Sequence, residues 1–156
     1  MRVSIVLPAK NEASGLRQFM PALKAMMPEA EIIVVNDGSI DDTAGQASAL
    51  GATVLSNPYA MGNGASIKRG PRAARGEIIV FMDADGQHRA EDLPKLLAKF
   101  EQGFDMVVGA RVKGGQASIG RGLANAFYNR LASWMTGHKV LDLTSGFRAV
   151  RAARFR

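Results

Sequence analysis

Apolar residues along this chain come in two rhythms. Val3 to Leu7 is a short continuous apolar run closed by Pro8, and Leu16, Phe19, Met20 and Leu23 follow it at the spacing of one helix face. The order then recurs. Ile32-Ile33-Val34-Val35 predicts a buried strand, Asn36-Asp37-Gly38-Ser39 a turn, and Asp41 to Leu50 a helix. Thr53-Val54-Leu55 predicts a weaker strand, Gly62 to Ala74 a helix after a Gly-rich loop, and Ile78 to Met82 the strongest strand of all. Leu93, Leu96, Leu97 and Phe100 mark the next helix, and Met106-Val107-Val108 a further strand. Beyond Gly109 the alternation stops. A Gly-rich stretch to Gly122 is expected to be a loop that orders only with ligand, because it offers little burial against ordering entropy. Ile119, Leu123, Phe127, Leu131, Trp134 and Met135 then trace a helical face up to Gly137, read as core packing or as a membrane-surface face. Strands apolar on both faces, alternating with helices, need cover on both sides. The expected fold is therefore α/β, an α/β/α sandwich on a mostly parallel central sheet, in one domain over residues 1–156.

Composition narrows what such a domain can do. With 156 residues, 47% of them hydrophobic, a substantial core is available. The absence of cysteine removes disulfides, thiolate metal sites and cysteine nucleophiles. No apolar run reaches the roughly 20 residues that cross a bilayer, and the N-terminal run lacks the long apolar core of a signal peptide. The expectation is a cytoplasmic protein, with peripheral contact at the inner face of the membrane as an option. The net charge of +6 is uneven: residues 1–109 hold 11 Lys/Arg against 13 Asp/Glu, and residues 110–156 hold 9 against the single Asp142. That basic third suits diphosphates or an anionic membrane surface, or is a solvated face. Nucleic acid is not expected as a partner, since several of the aromatics there lie on the apolar helix face instead of between bases.

In parallel α/β sheets ligands bind at the carboxyl ends of the strands. Three polar clusters fall there: Lys10-Asn11-Glu12, Asn36-Asp37-Gly38-Ser39 and Asp83-Ala84-Asp85. Asp83 and Asp85, with Gly86 to permit a turn, can hold a hard divalent ion such as Mg²⁺ or Mn²⁺, and Gln87 and His88 can add contacts. A capped turn into the following helix explains the same residues. Asp37 can accept hydrogen bonds from a base or ribose, or serve only its turn. Glu12 can contact a nucleoside or cap the first helix. Gly62-Asn63-Gly64 with Lys68 and Arg69 has neither Walker spacing nor the full dinucleotide fingerprint.

Taken in order, Val6-Leu7-Pro8-Ala9-Lys10-Asn11-Glu12, Val34 to Ser39, Gly62 to Gly76 and Ile79 to Gln87 resemble the family 2 glycosyltransferases of the GT-A fold. Asp142-Leu143-Thr144-Ser145-Gly146-Phe147-Arg148 resembles the subgroup typified by dolichyl-phosphate mannose synthase, which acts on polyprenyl phosphates. The resemblance implies a nucleotide-sugar donor, GDP- or UDP-linked, bound by Pro8, Lys10, Glu12, Asp37, Asp83, Ala84, Asp85, Gln87 and Arg111. It implies a Mg²⁺ or Mn²⁺ ion on Asp83, Asp85 and Gln87. It departs from the family at Lys10, where many relatives carry an aromatic residue, and relatives usually continue past the position of Arg156, so a C-terminal truncation is expected.

The same resemblance frames the acceptor. A hydroxyl acceptor wants a general base, for which Asp142 is the candidate. A phosphate acceptor is already anionic and wants cations, which Arg111, Arg121, Arg130 and Arg148 supply. The leading expectation is inverting transfer from the donor to a polyprenyl phosphate at the cell envelope, with Asp85, Arg111 and Arg148 as the working groups. Transfer to a sugar or lipid hydroxyl, and a nucleotide-binding module without turnover, are the alternatives.

Overall fold

A computed structural model describes residues 1–84, 90–110, 129–130, 133, 142 and 145–155. The expected loop over 109–122 and the helical face from Ile119 to Met135 lie almost wholly outside the described residues, as do Asp85, Gln87, His88, Arg111 and Arg121.

The elements alternate as the apolar pattern predicts. β1 (Val3–Ala9), α1 (Ala13–Met26), β2 (Glu31–Asn36), α2 (Thr43–Ala49), β3 (Thr53–Ser56), α3 (Asn63–Ala73) and β4 (Ile78–Phe81) follow one another, then a short 3-10 turn (Ala90–Asp92), α4 (Leu93–Phe100) and β5 (Met106–Val108). A last strand, β6 (Arg148–Arg151), leads into a short terminal helix, Ala152–Phe155. All described strands belong to one six-stranded sheet in the order β3-β2-β1-β4-β6-β5. β1 pairs parallel with both β2 and β4, and β2 with β3. β6 runs antiparallel between β4 and β5.

The sheet is covered unequally. On one face Ile5 and Leu7 of β1, Val34 of β2, Val80 of β4 and Ala149 of β6 meet Leu16, Met20 and Leu23 of α1 and Leu93, Leu96 and Phe100 of α4. On the other, Val6, Ile33, Val35, Ile79, Phe81 and Val150 form a smaller cluster, with Ile67 of α3 packed against it. Full burial of each such side chain is worth about 1.5–3 kcal/mol. The central strands therefore carry most of the stabilisation, and half-exposed β5 contributes least.

Two local differences from the sequence pattern have physical causes. α2 opens at Thr43 instead of Asp41, because the Asp41 carboxylate accepts from the Thr43 backbone N–H (3.0 Å) and the Ala13 N–H (3.1 Å), holding Asp41 ahead of the helix. The strand at Arg148–Arg151 is not predicted by the apolar pattern, and only its first residue falls within the Asp142 to Arg148 motif. Its alternation is short and contains two arginines, each of which covers an aromatic ring: the Arg148 guanidinium lies 5.4 Å from the Phe81 ring centroid and that of Arg151 5.0 Å from the Phe100 centroid.

Candidate functional site

A cleft of about 470 Å³ opens at the carboxyl ends of β1, β2 and β4. Pro8, Lys10, Glu12, Asp37, Asp83 and Ala84 all line it, together with Gly62, Asn63 and Ser66 from the start of α3. The three strand-end clusters thus converge, as the parallel topology requires.

Asp37 is the most constrained acid of the cleft. It is only 6% exposed. Its Oδ1 accepts from Asn57 Nδ2 (2.7 Å) and the Met61 N–H (2.8 Å), and its Oδ2 from the Gly62 N–H (2.8 Å). Burial by itself would raise this carboxyl, but the bonds from Asn57, Met61 and Gly62 and the nearby charge of Lys10 outweigh it and hold it below the ordinary carboxylate value. The turn role falls to its neighbour: Asn36 Oδ1 accepts from the Ser39 N–H at 3.1 Å. Gly38 has φ +65°, and a Cβ there would stand 2.5 Å from the Ala60 nitrogen, so only glycine lets these two loops close on each other. Asp37 therefore anchors the 57–62 loop to the cleft while lining it.

Glu12 occupies the residue before α1, yet its side chain makes no capping bond to that helix. The expected cap is supplied from elsewhere. Thr43 Oγ1 accepts from the Glu12 N–H and Asp41 Oδ2 from the Ala13 N–H. Asp41 in turn is held below the ordinary carboxylate value, first by its bond from the Thr43 hydroxyl. The Glu12 carboxylate instead reaches over Gly15, where a Cβ would lie 2.9 Å from Oε2.

Asp83 stands at the other end of the cleft, backed by Gly146, where a Cβ would meet its Oδ2 at 2.3 Å. Gly146 is fixed by its neighbours. Ser145 Oγ donates to the Gly109 carbonyl (2.6 Å) and accepts from the Phe147 N–H (3.2 Å), while the Gly109 N–H donates to the Phe147 carbonyl (2.9 Å). The Ser-Gly-Phe part of the last motif thus braces Asp83 from behind, a role that its sequence did not suggest. The chemistry of the Asp83 carboxylate fits a hard divalent ion. Among the described residues no three His, Cys, Asp or Glu side chains group as a metal site.

The remaining candidates are not gathered here. Arg148 is not among the cleft residues; it projects on the α3 side of the sheet over Phe81, with a buried Nε lacking a hydrogen-bond partner. Asp142 is partly exposed, and its carbonyl lies 3.5 Å from the Ser145 nitrogen. Ser66, fully buried and in the cleft, was missed, since a serine inside a helix gives no sequence signal.

The sequence model of Glycosyl transferase family 2 matches residues 4–156. The chain belongs to this family. An undecaprenyl-phosphate 4-deoxy-4-formamido-L-arabinose transferase of Klebsiella pneumoniae is 33% identical over 162 residues, covering 96% of this chain and 49% of that protein. An uncharacterized glycosyltransferase of Mycobacterium bovis is 41% identical over 110 residues, covering 70% of this chain and 48% of that one. The chain spans about half the length of the curated relatives it matches. Among solved structures, glucosyl-3-phosphoglycerate synthase of Mycobacterium tuberculosis in complex with UDP superposes with a TM-score of 0.79 at 27% identity, over 97% of this chain and 57% of that one. The same synthase has been solved with Mn²⁺ and UDP-glucose. The fold of this family 2 chain is GT-A, as expected, with a mixed sheet that is mostly parallel.

Proposed function

We propose that this family 2 chain forms the donor-binding part of a glycosyltransferase that moves a sugar from a nucleotide-diphosphate sugar to a polyprenyl phosphate. The observation that carries the reading is the convergence of Lys10, Glu12, Asp37 and Asp83 on one cleft at the strand ends. Pro8, Lys10, Glu12 and Asp37 hold the nucleoside. Asp83, Ala84, Asp85 and Gln87 are assigned to the diphosphate, and Asp83, Asp85 and Gln87 would hold the ion. An ion held there, Mg²⁺ or Mn²⁺, would supply charge neutralisation for the departing diphosphate. The polyprenyl phosphate relatives and the Mn²⁺ and UDP complexes of the mycobacterial synthase support the assignment.

A phosphate acceptor needs no general base. Its oxygen attacks the anomeric carbon from the face opposite the diphosphate, the bond to the diphosphate breaks, and that group leaves with the electron pair, inverting the centre. Arg111 is the group assigned to the acceptor phosphate, as guanidinium groups suit phosphate oxygens; Arg148 would have to leave the Phe81 ring to join it. No described helix is long and apolar enough to cross a membrane; a lipid acceptor brings the protein to the membrane surface. A second reading is a hydroxyl acceptor with Asp142 as base; the solved complex of the mycobacterial synthase with phosphoglyceric acid, which is not a polyprenyl phosphate, keeps it in view.

Calorimetry on the full chain with UDP and GDP in Mn²⁺ tests the donor site. Asp83→Asn combined with Asp85→Asn is expected to weaken the bound diphosphate by at least about tenfold, in line with loss of charged contacts; unchanged affinity would overturn the assignment. For the acceptor, Arg111→Ala or Arg148→Ala should depress transfer to a polyprenyl phosphate more than donor binding. Equal losses would make these arginines donor ligands, and efficient transfer to a neutral alcohol would favour the second reading.

A further inference from the structure

Arg69 follows the Gly62-Asn63-Gly64 loop in sequence, where a basic residue invites a phosphate, yet it is not among the residues that line the cleft. Its guanidinium is engaged elsewhere. Nη1 donates to the Ser56 carbonyl at 2.8 Å and to Asn57 Oδ1 at 2.7 Å, which uses both of that nitrogen's hydrogens. β3 ends at Ser56, so both acceptors sit where the chain leaves the sheet.

Asn57 is only 5% exposed; its backbone N–H donates to the Asn36 carbonyl at 2.8 Å, and its Nδ2 donates to Asp37 Oδ1 at 2.7 Å. Its amide therefore links Arg69 to Asp37. A guanidinium only donates and a carboxylate only accepts, so one orientation of that amide satisfies both ends. The reverse would set its oxygen against the Asp37 carboxylate and its NH2 against the guanidinium. Bonds in such a chain polarise one another, and here both ends carry charge.

The other two bonds into Asp37 come from the N–H groups of Met61 and Gly62, which are exposed residues of the loop before α3. Of the three donors only Asn57 is a buried residue. Arg69 ties it to a firm support, because the next residue, Gly70, is where α3 comes so close to the sheet that a Cβ would stand 2.3 Å from a Val6 methyl. A site group is held best when its own partner is locked by a packed element.

Resting on the donor reading above, we infer that Arg69 is a positioning residue for nucleotide binding: acting through the Asn57 amide, it holds the Asp37 carboxylate in one place in the cleft without itself touching the ligand.

The test is calorimetry of the full chain with UDP and with GDP in Mn²⁺, for wild type, Arg69→Ala, Arg69→Lys, Asn57→Ala and the double variant, with urea midpoints to check folding. R69A should weaken the preferred nucleotide about fivefold to tenfold, and R69K, which keeps a cationic donor, should recover most of that loss. Adding R69A to N57A should change affinity by less than about twofold, since either substitution breaks the same chain of bonds. The NMR signal of the Asn57 side-chain amide should shift in R69A and return in R69K, a readout that stands even where N57A does not fold. Unchanged affinity in R69A, or an unmoved Asn57 signal, overturns the inference and leaves the donor reading intact. A loss that persists in full on the N57A background also overturns it, by making Arg69 a phosphate ligand or a tie on the Ser56 carbonyl alone. Wild type that binds neither nucleotide overturns the donor reading and this inference together.

Discussion

The four parallel strands and the antiparallel pair at the far edge are held in place by different forces. At the carboxyl ends of β1 and β2 the loops are sewn to each other by short polar bonds: the Asn11 N–H to Ser39 Oγ (2.9 Å), the Ile40 N–H to Asn11 Oδ1 (2.9 Å), and the three bonds into Asp37. At the β5 and β6 edge the ties at the end away from the cleft are exposed ion pairs, Arg151 to Asp105 at 3.1 Å and Arg154 to Asp105 at 3.3 Å, while the Ser145 hydroxyl bridges Gly109 and Phe147 at the other end. Cross-bracing into the buried Asp37 carboxylate fixes geometry, and a solvated ion pair does not. A cleft that must hold a ligand in register is thus built where the loops brace one another.

The sharpest way to break this contrast is Asp37→Ala. It strands Asn57 Nδ2 and the N–H groups of Met61 and Gly62, and should cost about 3 kcal/mol, read as a lowered midpoint in urea, along with nucleotide binding. A change below about 1 kcal/mol would place the bracing elsewhere. Acid weakens the same contacts less abruptly. Because the folded carboxyl lies below the ordinary value, its contribution is complete above that value and is lost as pH falls through the folded one. Wild-type stability should therefore decline with acid more steeply than that of Asp37→Asn, which urea midpoints measured from pH 6 to pH 3 (about one unit either side of usual carboxylate titration) would show.

Gly146→Ala links the two regions. Its backbone is not among the positive-φ glycines, so the substitution acts through the clash with Asp83 and not through strain. UDP affinity in Mn²⁺ should fall about tenfold, or about 1.4 kcal/mol, with a smaller change in Tm; normal affinity would mean that Asp83 shifts without consequence. The smallest effect belongs to Asp105→Asn, which should cost less than about 1 kcal/mol and vanish in high salt. A larger, salt-independent loss in thermal unfolding would make the edge as firmly tied as the cleft.

The parallel half was legible because its strands are apolar on both faces and its ligand-bearing ends follow from topology. Val34-Val35 ending in Asn36-Asp37, and Val80 to Met82 ending in Asp83, announce both strand and site. The bracing of Asp37 was not legible, since Asn57 and Gly62 stand 20 and 25 residues away and carry no periodic signal. β6 was hidden for a different reason: Phe147 and Ala149 enter one core and Val150 the other, while Arg148 occupies an aromatic face. Read as chemistry alone, Ser145-Gly146-Phe147 concealed the packing it performs.

The place of β6 between β4 and β5 also sets an order of assembly. As the chain emerges during synthesis, β1 to β4 can pair as soon as Phe81 has appeared, but among the described strands β5 has no partner in the sheet until Arg148–Arg151 follows. Until then the outer side of β4 is an open edge with unpaired backbone groups, the kind of surface that recruits foreign strands. Completion of the sheet and the arrival of Gly146 behind Asp83 are therefore one late event, so a nascent chain acquires its finished cleft only when it closes its own exposed edge.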